Sequence, residues 1–322
     1  MRFCVESQNL KKYFHTDSGV VRAVDDVSFG IEPGETVGLV GESGCGKSTI
    51  GRTILKLVEP SGGKLFFEGR DIFEINRADR RALRREMGIV FQNPYSSLNP
   101  RMKVLQIVGE PLKTHTKING ARLRRKVLDL LAQVGLKPEQ LNRFPHQFSG
   151  GQRQRIAIAR AMILKPQLIL ADEAISALDV SIQAQIINLM MDLKDKYKMT
   201  ALFITHDISV VKHLSDYVAV MYLGEIVEYA SKKDLFASPR HPYTKMLFSA
   251  VPDIHTPLMT ESVLKTGEVQ SPIDLPKGCF FANRCPMKQS ECDQSHPDLE
   301  ETGHGHLVRC PLVLNINMKD EY

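Results

Sequence analysis

The stretch "GESGCGKST" (residues 41–49) follows the apolar run "TVGLV" (36–40) and precedes "IGRTILKLV" (50–58). Gly41, Gly46, Lys47 and Ser48 satisfy the pattern G-x-x-x-x-G-K-[ST]. Glycines this dense beside a lysine form either a flexible turn or a loop wrapped round a phosphate. The flanks favour the second reading. A continuous apolar run suits a strand buried on both faces, and "GRTILKLV" has helical periodicity, so the loop joins a strand to a helix that begins about Lys47. In that context the backbone N–H groups of Gly41, Glu42, Ser43, Gly44, Cys45, Gly46, Lys47, Ser48 and Thr49 can surround phosphates, and the helix N-terminus adds partial positive charge. Lys47 would reach the β- and γ-phosphates, and Ser48 would ligate Mg²⁺.

Two further stretches complete a chemistry. "LILADE" (168–173) is four apolar residues ending in acids at the edge of a strand. Asp172 is placed to hold the Mg²⁺ shell, and Glu173, one residue further out, to polarise an attacking water as general base. "FSGGQRQR" (148–155) puts a serine and two glycines at a helix start. Read alone it is an ordinary N-cap. Read beside the first loop it is a second anion site, capped by Ser149 and open at Gly150 and Gly151. One nucleotide does not need two phosphate-binding helix ends on one chain; two facing chains do.

The rest of the chain agrees with an α/β protein. Strands are expected at 24–31, 62–69, 167–172, 200–205 and 217–222, with a helix over 180–197 between two of them. That alternation predicts a largely parallel sheet covered by helices. Residues 93–160 read as a helical insert. A boundary falls near 251, where a proline-rich stretch without periodicity leads into a cysteine segment, giving a first domain over 1–250 and an extension over 251–322.

At 322 residues the chain can bury a proper core, and its 43% hydrophobic and 25% charged residues are those of an ordinary globular protein. A net charge of +5 makes no case for nucleic acid. The basic runs at 77–87 and 122–127 read as solvated helix faces. No run approaches the roughly 20 apolar residues of a membrane span, and the N-terminus lacks an apolar signal core. The expected location is cytoplasmic, with any membrane role supplied by a partner.

In its motifs and their order, the sequence resembles the ATP-binding subunits of ABC transporters over about residues 5–250. The resemblance implies an α/β P-loop NTPase fold with a helical subdomain, and ATP and Mg²⁺ as ligands. It implies that Gln92 in "VFQNP" senses Mg²⁺ and the membrane partner, that Ser149, Gly150, Gly151 and Gln152 form the signature, and that Asp179 in "SALD" lies at a dimer interface. His206 in "ITHD" would contact the γ-phosphate, and Phe14, with Tyr13 next, would stack on adenine. Ala174 stands where the family usually has proline. Proline there supplies no side-chain chemistry, so little effect is expected.

"FQNPYSSLNPR" (91–101), "SPRHPYTKMLFSAVP" (238–252) and "GCFFANRC" (278–285) are similar to the oligopeptide and dipeptide importer branch, second ATPase subunit type. Nickel, glutathione and antimicrobial-peptide transporters share much of this pattern; a soluble ABC-type ATPase of DNA repair or translation fits less well, since one cassette and no heptad run are present. The implied partners are a second ABC ATPase in a heterodimer, two transmembrane permease subunits on the cytoplasmic side of the membrane, and an extracytoplasmic substrate-binding protein.

Cys279, Cys285, Cys292 and Cys310 are spaced C-x5-C-x6-C-x17-C. Structural zinc favours C-x2–4-C pairs, absent here, and four thiolates in irregular loops suit an iron–sulfur cluster at least as well. Zinc and four unliganded thiols stay open. The resemblance associates such tails with a [4Fe–4S] centre, which would staple a segment too poor in apolar residues to fold alone. His296, His304 and His306 are expected on the surface.

Overall fold

In the computed structural model, which describes residues 3–176, 178–249, 271–273 and 275–313, the run 36–40 forms β3 (Thr36–Val40), buried at every position. The helix after it is α1 (Lys47–Ile54), and its Ile50 and Ile54 are fully covered. Four more strands join β3 in parallel: β6 (Met87–Val90), β7 (Leu168–Asp172), β8 (Thr200–Ile204) and β9 (Tyr217–Tyr222). The order β9-β3-β8-β7-β6 brings the C-terminal ends of β3, β7 and β8 side by side. Loops leaving those ends carry Lys47, Glu173 and His206. This is the crevice at the carboxyl edge where open α/β sheets place ligands.

Antiparallel strands extend the sheet: β10 (Glu225–Ser231), then β12 (Leu307–Val308) and β11 (Glu300–Glu301). The sequence pattern missed β10. A second, antiparallel sheet of order β2-β1-β4-β5 packs over α1. It comprises β1 (Val5–Thr16), β2 (Gly19–Ile31), β4 (Gly62–Phe67) and β5 (Arg70–Asp71). One apolar core joins the two sheets through α1, with Leu10, Leu39, Ile54 and Leu65 in it.

Between β6 and β7 lie α3 (Pro94–Ser97), α4 (Val104–His115), α5 (Gly120–Gln133) and α6 (Gly150–Met162). Their apolar faces form a second core that continues onto α7 (Val180–Tyr197). The basic run 77–87 is α2 (Arg77–Glu86), capped by Asn76, whose side chain accepts from the N–H groups of Ala78 and Asp79. Arg81, Arg84 and Arg85 are exposed while Leu83 is buried, as a solvated face requires. The remaining α-helices among the described residues are α8 (Ile208–Leu214), α9 (Lys232–Ala237) and α10 (Pro242–Ser249). No helix among the described residues is long and apolar enough to cross a membrane.

The proline-rich stretch 251–270 lies outside the described residues. Beyond it the chain packs against the main sheet, and one expectation needs correction. His306 is not a surface residue: it is 2% exposed, with Nε2 at 2.7 Å from Glu228 of β10. His296 is part-buried, with Nε2 at 2.9 Å from Glu225. Buried carboxylates require partners, and these histidines supply them. His304 is exposed. The cysteine segment belongs to the same part of the chain. Among the described residues no group of three or more His, Cys, Asp or Glu is placed to hold a metal ion, and Cys279, Cys285, Cys292 and Cys310 form no disulfide. Burial pushes the Cys279 thiol up to about 12, and the neighbouring Cys310, Cys292 and Cys285 add to the rise. In this arrangement the uncharged thiol is the favoured form.

Candidate functional site

The phosphate loop depends on two backbone positions. Gly41 has φ 153° and Gly46 has φ 107°; a Cβ on them would lie 2.2 Å from the Met221 carbonyl oxygen and 1.9 Å from that of Ala23. No side chain fits either place. Lys47, 4% exposed, folds its ammonium back on the loop, donating to the carbonyls of Gly41 and Glu42 at 2.8 Å each. A cation held by neutral carbonyls is poised for transfer to a stronger anion. Cys45, also buried, is 3.6 Å from it through Sγ, and burial raises its thiol above the ordinary value.

Ser48, in the first turn of α1, donates through Oγ to Asp172 Oδ1 at 2.7 Å. The two oxygens expected around Mg²⁺ are thus adjacent, although 124 residues apart in sequence. Burial holds the Asp172 carboxyl above its usual range, and the Ser48 hydrogen bond partly offsets this. A hard oxygen pair at a phosphate loop fits Mg²⁺, which binds one or two carboxylates plus phosphate oxygens.

Glu173 follows β7 in the left-handed region, at φ 46°, with its N–H donating to the Ile204 carbonyl at 2.8 Å. That conformation is unfavourable for a non-glycine residue and turns the side chain into the crevice. Gln92 Nε2 donates to Glu173 Oε2 at 2.6 Å, and His206 Nδ1 lies 3.5 Å from Oε1. The carboxylate sits between an amide and an imidazole, where it can accept a proton from water.

Ser43, Gly44, Gly46–Thr49, Gln92 and Glu173 line one cavity of about 260 Å³, while Asp172 and His206 reach it only through their contacts with Ser48 and Glu173. Val21, Arg22, Ala23, Leu223, Gly224 and Pro272 line it as well. Neither expected adenine aromatic lines it. Tyr13 donates its hydroxyl to Asp25 at 2.5 Å, and Phe14, 39% exposed, pairs across the hairpin with the lining residue Val21. Reading from sequence missed Tyr243, whose hydroxyl accepts from the Glu42 N–H at 3.0 Å. No local pattern connects positions 201 apart.

The signature lies elsewhere. Ser149 caps α6: its Oγ accepts from the Gln152 N–H at 3.4 Å, and Gln152 Oε1 accepts from the Ser149 N–H at 3.2 Å. Ser149, Gly150, Gly151 and Gln152 are absent from the cavity lining. Gly151 has a packing role as well, since a Cβ there would lie 2.6 Å from Ile182 of α7. Asp179 is the residue before α7, and the adjacent Val180 is 82% exposed.

A family pattern described as "ABC transporter" matches residues 24–176, spanning the phosphate loop, the signature and Glu173. The oligopeptide transport ATP-binding protein AppF of Bacillus subtilis (strain 168) is 48% identical over 318 residues, 96% of this chain and 97% of that one. The chain belongs to the ABC transporter ATP-binding family. The dipeptide transport ATP-binding protein DppF of Escherichia coli (strain K12) is 46% identical over 315 residues, 96% of this chain and 94% of its own. A second pattern, "Oligopeptide/dipeptide transporter, C-terminal region", matches residues 227–292. Among solved structures, the ATP-binding cassette MJ0796, described as a dimeric post-hydrolysis state bound to ADP and Pi, superimposes with a TM-score of 0.65 at 30% identity, covering 71% of this chain and 98% of that one. As a member of the family the protein is an ATPase with the P-loop NTPase fold.

Proposed function

We propose that this chain is the ATP-hydrolysing subunit of an importer of oligopeptides or dipeptides. The observation that supports this reading is that similarity to peptide-transport ATPases runs on through the C-terminal region, past the phosphate loop, the signature and Glu173. A generic ATPase has no need of that segment. The subunit would act on the cytoplasmic side of the membrane, bound to two permease subunits that receive cargo from an extracytoplasmic binding protein. The division into a cassette (1–250, with the helical insert 93–160) and an extension (251–322) belongs to the same reading. Reconstituted with those partners in vesicles, the complex should hydrolyse ATP faster when peptide-loaded binding protein is added. Indifference to peptide, with stimulation by nickel or glutathione, would replace the cargo.

Chemically, Lys47 would leave the Gly41 and Glu42 carbonyls for the β- and γ-phosphates, and Ser48 and Asp172 would hold Mg²⁺, which would neutralise phosphate charge. Glu173, positioned by Gln92, takes the proton of the attacking water, and His206 stands beside the γ-phosphate position. Adenine would stack on Phe14 or Tyr13 at the hairpin. The Ser149 helix, remote from its own chain's cavity, would close over ATP held by a second ATPase subunit, with Asp179 at the seam. Ser149→Arg should therefore lower hydrolysis at the partner's site by about 10²-fold, the usual effect of losing a preorganised anion contact. ATP binding at the mutant chain's own loop should persist. Loss of that binding, with the partner site unharmed, would contradict the shared arrangement.

The cysteine cluster enters the same reading. Cys292 and Cys310 share an apolar cluster with Cys279, and Cys279 packs on the one containing Cys285. The four cysteines thus lie in two adjoining apolar clusters, and a [4Fe–4S] group would have to draw them together, since among the described residues no three are placed to hold a metal ion. Anaerobically purified protein should be brown, and Cys285→Ser should abolish iron and sulfide together. Colourless protein with one zinc would overturn this.

A further inference from the structure

Glu42 is the second residue of the phosphate loop, and its side chain does not point to a nucleotide. Both carboxylate oxygens accept from Arg284 of the C-terminal extension, at 2.8 Å from Nη1 and 2.8 Å from Nη2. The two residues are 242 apart in sequence. A bidentate guanidinium–carboxylate pair is the strongest of side-chain couplings and fixes orientation as well as distance. The guanidinium is buried and lies 5.8 Å from the Tyr222 ring centre and 5.9 Å from that of Phe281. With the Glu42 N–H on Tyr243 and its carbonyl on Lys47, every polar group of Glu42 is held. Its anchors are the extension, α10 and the phosphate-binding lysine.

A second contact comes from the same part of the chain. The Pro272 carbonyl accepts from the Arg22 N–H at 3.3 Å, and Pro272 and Arg22 both line the nucleotide cavity. The segment after residue 270 thus touches the cavity at two ends, the phosphate loop and the β1–β2 hairpin.

We infer that Arg284 is a positioning residue for ATP binding, which locks the phosphate loop through Glu42 and makes the cysteine-bearing extension part of the nucleotide site. Two effects act together. The pair fixes the Glu42 peptide, whose carbonyl parks Lys47. It also neutralises a carboxylate that would otherwise repel a triphosphate at close range in a partly dry cavity. Arg284 precedes Cys285, so whatever orders the cysteine segment also sets the loop. Linkage makes the coupling reciprocal: ATP in the loop must favour the docked extension by the same factor.

The test compares the full-length protein with Arg284→Gln, Glu42→Gln and the double variant, using ATP–Mg²⁺ titration and steady-state hydrolysis. Arg284→Gln should weaken ATP binding about tenfold, within the ordinary range of coupling between sites, with kcat changed less than about threefold. Adding Glu42→Gln should restore part of the affinity, because the unpaired carboxylate is gone while the lock on the loop is still missing. Unchanged affinity in the single variant, or a double variant as weak as the single, would overturn the inference. A merely structural arginine would give the second result. If Arg284→Gln fails to fold, hydrogen exchange on the wild type decides: ATP should slow exchange across 280–286, and equal rates with and without ATP would refute the coupling.

Discussion

Glu173→Gln is expected to bind ATP as tightly as the wild type and to hydrolyse it about 10²–10⁴-fold more slowly, the range for removal of a general base. The substitution keeps the shape of the side chain and the room around it. An amide can still pair with Gln92, which lies 2.6 Å away, after a flip of either group. Proton acceptance is what disappears. The left-handed backbone at φ 46° is set by β7 and by the N–H bond to Ile204, so the side chain stays at the same place in the crevice. Binding is untouched because Lys47, Ser48 and the loop amides do not pass through Glu173. Bound ATP without turnover should leave two subunits closed on it, and size-exclusion chromatography with ATP should show a stable dimer. Single-turnover hydrolysis near the wild-type rate would remove Glu173 from the role of base.

How much of this was legible follows from how local each signal is. The β3–loop–α1 unit is continuous in sequence, and its strand, glycines, lysine and helix announce each other within 19 residues, 36–54. The apolar run ending at Asp172 is equally local. The strand β1 was not read, and its geometry gives the reason. Asn9 is left-handed at φ 49°, and the pairing with β2 shifts register three times, so no alternation of apolar and polar residues survives. The strand β10 hides differently. It buries Glu225 and Glu228, which a polarity pattern assigns to the surface. Their partners, His296, His306 and Arg309, lie 71, 78 and 84 residues downstream. The histidines were therefore misread for the same reason that β10 was missed. The Arg284–Glu42 pair belongs with them, since nothing near either residue points to the other. Ala174, in place of the usual proline, is 5% exposed in the core of the helical subdomain, where a small apolar residue packs without polar demand.

Glu228 is the residue whose loss should do most to the attachment of the extension. It is 0% exposed and accepts from the N–H of Arg240 at 2.7 Å, the N–H of His241 at 3.0 Å, and faces His306 Nε2 at 2.7 Å. Burial would raise its carboxyl, but hydrogen bonds from His306, Thr244 and the two backbone groups outweigh that and hold it below the usual carboxylate range. Glu228→Ala leaves buried donors without a partner, at a cost of about 3–5 kcal/mol. The loss should appear where the extension joins the sheet. Val308 pairs with Glu228 itself, and the Arg309 N–H donates to Val227 at 2.8 Å. Exchange protection at these amides should fall on the order of 10²–10³-fold. Acid should act in the same direction. A depressed carboxyl gives stability that is complete above its unfolded value of about 4.3 and is lost as pH falls through its lower folded value. Burial holds His241 down at about 4, so between pH 6.5 and 4 the unfolded chain takes up a proton that the folded chain refuses. Stability against urea should therefore decline as pH is lowered from about 6.5 toward 4. His241→Asn, which keeps an acceptor for the Tyr243 N–H, should flatten that decline. An acid profile unchanged in His241→Asn, or full amide protection in Glu228→Ala, would show that the extension is held by something other than this buried carboxylate.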